Sequence, residues 1–419
     1  MQVDEQRERN ARHKIGRAYI GGKSNIHNVH TVTFQPKGIA TTQDRVVMDR
    51  WEIYGQYYLF LAVFDGHSGS RAAHYTSEML PTRIRRKLRA FIHNVGGKLD
   101  RENIAQNEPK VTDLLKREIQ EFDKSIGDAL QQICPRPWEL TEEQARHLIQ
   151  EHEEVIQRAF SGTTVALAII NLNQRFMWAV GVGDSTVGLC TVDSEGNTSG
   201  RRLCEMHTFK DPQEYFRAVM AHSYAEQPLF DHNDRILGWI AVARAIGDFA
   251  LKLSAAYTAH LFQYLPGLSG DPPLSAYVPR ILTPPYIISE PSVRFTDLQP
   301  FWDTGSKIFL FTDGVDNLVN GQYVFTPEQQ SKADPVDIVA GLLAERIDPR
   351  IDELLGHQTI PRWSGPENNR ASDVLGNLLG GQDIERLEMV TDMTRLEART
   401  GWPFHIDDTS LIVWGLADA

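Results

Sequence analysis

Apolar residues in this chain come in short, dense runs, and none is long. They are YLFLAVF (58–64), TVALAII (164–170), RFMWAVGV (175–182), VGLCTV (187–192), KIFLFT (307–312) and TSLIVWG (409–415). Each is rich in Val, Ile, Phe or Trp, is bounded by Gly, Asp or Asn, and has the length of a strand rather than of a helix. A membrane-crossing helix needs about 20 apolar residues, and the sequence has no such run. A chain punctuated this way builds its core from several short strands.

Helical patterns lie between the runs. Residues 112–133 place Leu114, Leu115, Ile119, Phe122, Ile126 and Leu130 on one stripe. Residues 141–160 open with Thr141 and Gln144, a capping-box pair. Residues 334–347 put Pro335 at a first helical position, and 371–381 end on a glycine pair. A further helical pattern, 69–93, contains Pro81, which is expected to break or kink it near Leu80. Strands neighbour strands and helices come in pairs, so the order predicts an antiparallel α+β layer fold rather than a doubly wound parallel sheet. Segments 193–240 and 253–290 read as insertions, the second as an ordered loop near a site. No boundary divides the chain, and one domain over residues 1–419 is expected.

The net charge of −12 excludes a general binder of nucleic acid or anionic membranes. Cys134, Cys190 and Cys204 are far apart and lack Cys-x-x-Cys spacing, which argues against a disulfide framework or structural zinc and fits a reducing compartment. The opening MQVDEQRERNARHK has no apolar stretch and reads neither as a secretory signal nor as a transit peptide. A cytoplasmic or nuclear setting is expected, or a mitochondrial one if an N-terminal segment has been removed.

The chemistry gathers at the strand ends. Asp65 follows LFLAVF, Asp184 follows FMWAVGVG, Asp313 follows KIFLFT, Asp407 and Asp408 precede TSLIVW, and Asp44 sits in TTQDRVVM. Any one of these reads equally well as a turn, since Asp-Gly after apolar residues is a common hairpin signal. Their recurrence points further. Carboxylate oxygen suits Mg²⁺ and Mn²⁺, and a pair of such ions needs several carboxylates converging from separate segments. Gly66 after Asp65 allows close backbone approach. His67, two residues on, points the same way in an extended chain and suits a general acid.

With these residues in place, a resemblance is recognisable. VFDGHSG (63–69) resembles the signature of the metal-dependent serine/threonine protein phosphatases of type 2C. The companion motifs follow in that family's order: FSGTTVALAII (160–170), VGDSTVGL (182–189), AVARAIGDFALK (241–252), PPYIISEPSV (284–293), LFTDGVDNLV (310–319) and HIDDTSLIVW (405–414). The blocks span about residues 40–416. The PPYIISEPSV wording and the large insertions lean toward the pyruvate dehydrogenase phosphatase-like branch.

The resemblance implies a β-sandwich of two antiparallel sheets flanked by helices on both faces, a four-layer α/β/β/α fold. It implies hydrolysis of phosphoserine and phosphothreonine in a phosphoprotein partner, by a metal-activated water at a dinuclear Mn²⁺ or Mg²⁺ centre. A monomer is the expected state. Carried over by position, Asp65 bridges both ions, Gly66 offers its carbonyl, Asp313 and Asp407 bind one ion, and Asp44 holds waters. Asp184 belongs to a weaker third site and His67 is the general acid.

This chain departs from the family pattern at four places. Ile39 stands where many members carry a phosphate-gripping Arg, and Gln43 stands for Glu. Thr186 stands for the Arg of Gly-Asp-Ser-Arg. The last Asp of the family's Asp-Gly-Leu-Trp-Asp falls on Asn317, with Asp316 adjacent. These departures sustain a second reading, a pseudophosphatase acting as a binding or regulatory module.

Overall fold

The computed structural model describes residues 2–23, 26–268, 272–321, 324, 331–397 and 404–416. In chain order the strands are β1 (Tyr19–Lys23), β2 (Val29–Phe34), β3 (Arg45–Ile53), β4 (Gln56–Phe64), β5 (Gly66–His67), β6 (Gly162–Thr163), β7 (Val165–Asn171), β8 (Phe176–Val182), β9 (Thr186–Val192), β10 (Thr198–Arg202), β11 (Ile246–Gly247), β12 (Ser292–Asp297), β13 (Lys307–Phe311) and β14 (Thr409–Gly415). They form one antiparallel sheet in the order β1-β2-β14-β13-β9-β10 and a second in the order β12-β8-β7-β4-β3. A small third sheet has the order β11-β6-β5.

β4 shows why its apolar run is unbroken. Tyr58, Phe60, Ala62 and Phe64 face the helices Arg71–Asn94 and Ile104–Ile133. Leu59, Leu61 and Val63 alternate with them and face the opposite sheet through Leu189, Leu310 and Ile412. The outer face of the first sheet, with Phe34, Phe309, Phe311 and Val413, packs on the helices Gly314–Asn320, Pro335–Leu342 and Arg370–Leu379. The layers are therefore helix, sheet, sheet, helix, as the resemblance implied.

Register then gathers the strand-end residues. Arg45 at the start of β3 lies opposite Phe64 at the end of β4. Phe311 at the end of β13 lies opposite both Leu411 of β14 and Thr186 of β9. The residues just beyond these pairs, Asp44, Asp65, Asp313, Asp184 and Asp408, thus emerge at one end of the sandwich.

Several local expectations change. The helix Arg71–Asn94 continues without a break through Pro81. Losing one backbone hydrogen bond and straining the turn costs about 3 kcal/mol. Leu80, Ile84, Leu88 and Ile92 are all fully buried on the sheet, and each contributes roughly 1.5–3 kcal/mol, so packing outweighs the proline. The helix predicted from 112 begins at Ile104, and the 141–160 pattern divides into Glu142–Glu151 and Glu153–Phe160, with the Thr141 capping box present. The N-terminal helix Gln2–Ala18 and the mixed-polarity strands β1, β2 and β3 carry weak patterns and were not anticipated.

Segment 193–240 supplies β10 and the helix Pro212–Ala221. Segment 253–290 supplies one short helix and several 3-10 turns, and its residues 269–271 lie outside those described. Together with the residues between them, the two segments build a satellite core around Phe209, Leu229, Ile236, Leu251 and Tyr286.

Leu61→Ala, which empties volume between the two sheets, is expected to cost about 2–5 kcal/mol and to lower the urea midpoint clearly. Ile20→Ala, at a side chain 63% exposed, is expected to stay within about 0.5 kcal/mol of the parent. Equal midpoints for the two variants would contradict this layering.

Candidate active site

Three two-residue strands shape the corner that holds His67. His67 in β5 lies opposite Gly162 in β6, and Gly162 lies opposite Gly247 in β11. This brings the next residue, Asp248, across to the imidazole, with His67 Nε2 2.7 Å from Asp248 Oδ2. The contact crosses directly over Gly162, where a Cβ would collide with both Asp248 Oδ2 and His67 Nε2. Only glycine fits there. Asp248 adopts a left-handed backbone (φ 52°), which Asp tolerates better than most residues. Burial alone would lower the pKa of His67. The charge and hydrogen bond of Asp248, with the charge of Asp184, outweigh it and hold the pKa above the usual 6.5.

The aspartates form an acidic basin beside this corner. Asp44 is buried (3% exposed). Its Oδ2 accepts from Thr312 Oγ1 at 2.9 Å, while its Oδ1 is buried without a hydrogen-bond partner. Burial and the charge of Asp408 push its pKa up to about 8. Burial raises Asp65 well above the usual carboxylate range, and Asp313, Asp44, Asp407 and Asp184 add to the effect. Asp313 is raised in the same way, by burial and then by Asp184 and Asp407. Burial lifts Asp184 to about 6. Asp65 therefore lies within electrostatic reach of Asp313, Asp44, Asp407 and Asp184. Gly66 lies tight against the preceding loop, where a Cβ would stand 2.6 Å from the carbonyl oxygen of Gln43.

The departures acquire structural meaning. Gln43 uses its side chain as an acceptor, with Gly69 N–H donating to Oε1 at 2.9 Å, so the amide braces the turn after His67 without a charge. Ile39 sits in a short 3-10 turn, Ile39–Thr41, and offers no cation. Beside Asn317, it is Asp316 that belongs to the basin. Burial lifts it to about 7, Asp184 and Asp334 add to the rise, and Arg202 opposes it. Its Oδ2 is buried without a hydrogen-bond partner.

Sequence reasoning missed two participants. Asp408 accepts from Gln43 N at 2.6 Å and from Gln35 Nε2, pinning the 35–43 loop to the start of β14. The Asp407-Asp408 pair was visible, but not the division of labour within it. Asp248 stood in the RAIGD motif, but its partner His67 is 181 residues away.

Among the described residues, no three carboxylate, imidazole or thiol groups stand at ready-made metal-ligand spacing. The donor chemistry still fits a hard divalent cation. The groups are buried carboxylates that repel one another, and the unpartnered Asp44 Oδ1 and Asp316 Oδ2 are oxygen acceptors left without a donor.

The protein phosphatase 2C family profile matches residues 58–348, well over half of the chain. That span includes Asp65, His67, Asp184, Asp248 and Asp313 but not Asp44 or Asp407. Among curated proteins, the human mitochondrial [pyruvate dehydrogenase [acetyl-transferring]]-phosphatase 1 is 28% identical over 171 residues, which are 41% of this chain and 31% of that protein. A protein phosphatase 2C homolog of Schizosaccharomyces pombe is 24% identical over 83% of this chain and 72% of its own length. The pyruvate dehydrogenase phosphatase 1 of Saccharomyces cerevisiae is 24% identical over 75% of this chain and 51% of its own. The match spans about a third of the length of the first of these relatives.

The raised carboxyls have a consequence for stability. A carboxyl with a folded pKa above its unfolded value holds its proton longer in the native state, so stability falls as pH rises from the unfolded value, about 4, to the folded pKa, and levels off above it. For Asp184, Asp316 and Asp44 the fall ends at about 6, about 7 and about 8. In chelator, the melting temperature is expected to drop between about pH 4 and about pH 8, and added Mn²⁺ is expected to raise it more at the higher pH. A melting temperature independent of pH across this window would contradict the reading.

Proposed function

The chain belongs to the protein phosphatase 2C family, and on that premise we propose that it is a metal-dependent hydrolase of phosphoserine and phosphothreonine in proteins. The observation that carries the proposal is the convergence of Asp65, Asp313, Asp184, Asp407 and Asp44 from separate segments onto one end of the sandwich, beside a His67 whose pKa is raised. Asp65, Asp313 and Asp407 would hold two Mn²⁺ or Mg²⁺ ions, with Gly66 lending its carbonyl, Asp44 a water-mediated contact and Asp184 a weaker neighbouring site. When bound, the ion pair supplies Lewis-acid charge to the phosphoryl oxygens and makes a water nucleophilic near neutral pH.

The chain's own groups do the rest. His67, held by Asp248 in one orientation and with its pKa raised by that contact, donates its proton to the departing serine or threonine oxygen. The acidic basin repels an unescorted phosphate, so substrate binding depends on the cations. Pyruvate dehydrogenase phosphatases among the relatives favour a phosphoprotein over a small phosphate ester. The survival of Asp65, Asp313 and Asp407, the three carboxylates that would bind the ions, supports an enzyme over a binding-only pseudophosphatase.

Phosphothreonine-peptide hydrolysis is expected with Mn²⁺ and not with chelator, and Asp65→Asn is expected to abolish it. His67→Gln is expected to slow peptide hydrolysis about 10²- to 10⁴-fold but an aryl phosphate much less, because the aryl oxide leaves without a proton. Asp248→Asn is expected to lower the pKa of His67, read by NMR, and to shift the acid limb of the peptide rate with it. Turnover in chelator, or full activity in Asp65→Asn, would sink the proposal.

A further inference from the structure

Asp248 reaches His67 from a segment with little strand pairing of its own, since β11 is only Ile246–Gly247. A side chain of the long helix Ile104–Ile133 ties that segment down. Asp123 Oδ1 accepts from Gly247 N at 2.8 Å, and its Oδ2 accepts from Lys252 Nζ at 2.7 Å. Lys252 Nζ also donates to Ala245 O at 2.8 Å. The Asp123 and Lys252 side chains are 7% and 8% exposed, so each charge depends on the other for compensation.

The same helix holds the residue on the other side of Asp248. Gly127, four residues on from Asp123 and so on the same face, takes the ring of Phe249, and a Cβ there would stand 2.3 Å from Phe249 Cε1. The Lys252 ammonium lies 5.2 Å from the centroid of that ring. Asp248 is thus flanked by two residues docked on one helix face, and its own N–H donates to Ser161 O at 3.1 Å. Its left-handed backbone persists because these neighbours fix it.

We propose that Asp123 is a positioning residue for the reaction: by holding the Gly247 N–H and the Lys252 ammonium, it fixes the 245–252 segment so that Asp248 stays against His67 Nε2. The proposal rests on the phosphatase reading above. Asp123 is not among the carboxylates assigned to the ions, so it acts on the proton donor and not on the metal centre. Its loss is therefore felt by leaving groups that need a proton and much less by those that do not.

The test is the ratio of phosphothreonine-peptide to aryl-phosphate turnover with Mn²⁺, measured on the full chain with thermal melts to confirm folding. Asp123→Leu combined with Lys252→Met removes both charges and the acceptor for Gly247, and an apolar pair of similar volume is expected to leave the fold intact. The misplaced Asp248 is expected to lower the peptide rate roughly 10- to 100-fold, with the aryl phosphate affected much less. Asp123→Asn combined with Lys252→Met returns an acceptor oxygen for the Gly247 N–H and is expected to recover most of the ratio. A folded Leu/Met protein with the parent ratio overturns the proposal, as does a fall that the Asn/Met protein does not recover. Should the Leu/Met protein not fold, Asp123→Ser, which leaves Lys252 its bond to Ala245, is compared with the Asn/Met protein in the same way. In the parent, the Gly247 amide is expected to exchange slowly with deuterium, and exchange as fast as at an exposed loop overturns the proposal whatever the variants do. A parent that hydrolyses neither ester sinks the phosphatase reading as well. An active parent whose ratio the Leu/Met protein shares sinks this inference alone.

Discussion

The repulsion among buried carboxylates at one end of the sandwich is the constraint around which the rest of the structure is arranged. Groups that raise one another's pKa by burial and like charge weaken a fold wherever they are ionised. Holding them together takes a rigid frame, and two sheets packed face to face, each backed by helices, provide it. Asp44, Asp65, Asp184, Asp313 and Asp407 each sit within two residues of a strand end, where backbone ladders fix the chain before any side chain is considered. The strain of the site is thus carried by the most deeply buried part of the molecule.

Much of this was legible in the sequence, and the legible part has a common physical cause. Unbroken apolar runs such as YLFLAVF report burial on both faces, and acidic residues at their ends report where the strands stop. The two-sheet layering and the basin itself follow from those signals once the family resemblance supplies the connections. The Thr141 capping box was readable for the same reason, since its two bonds are local.

What the sequence did not disclose depends on distance along the chain or on packing. Pro81 reads as a breaker until the burial of Leu80, Ile84, Leu88 and Ile92 is known. Asp248 is one acidic residue among many until three two-residue strands bring it over Gly162 to His67. Thr186 and Asn317 look like losses when each motif is read alone. In the folded chain Thr186 accepts from Arg202 of the adjacent strand, and Asp316 beside Asn317 carries a buried oxygen without a partner.

The position of β14 has an implication for how the protein comes into being. This late strand lies inside its sheet, between β2 near the start of the chain and β13, and Asp407 and Asp408 lead into it. Until it inserts, β2 and β13 expose unpaired edges, and the 35–43 loop lacks the carboxylate that pins it. Such distant pairing is slow to form and leaves partial chains prone to association. A growing chain therefore cannot close the acidic basin until β14 has been made and inserted between β2 and β13.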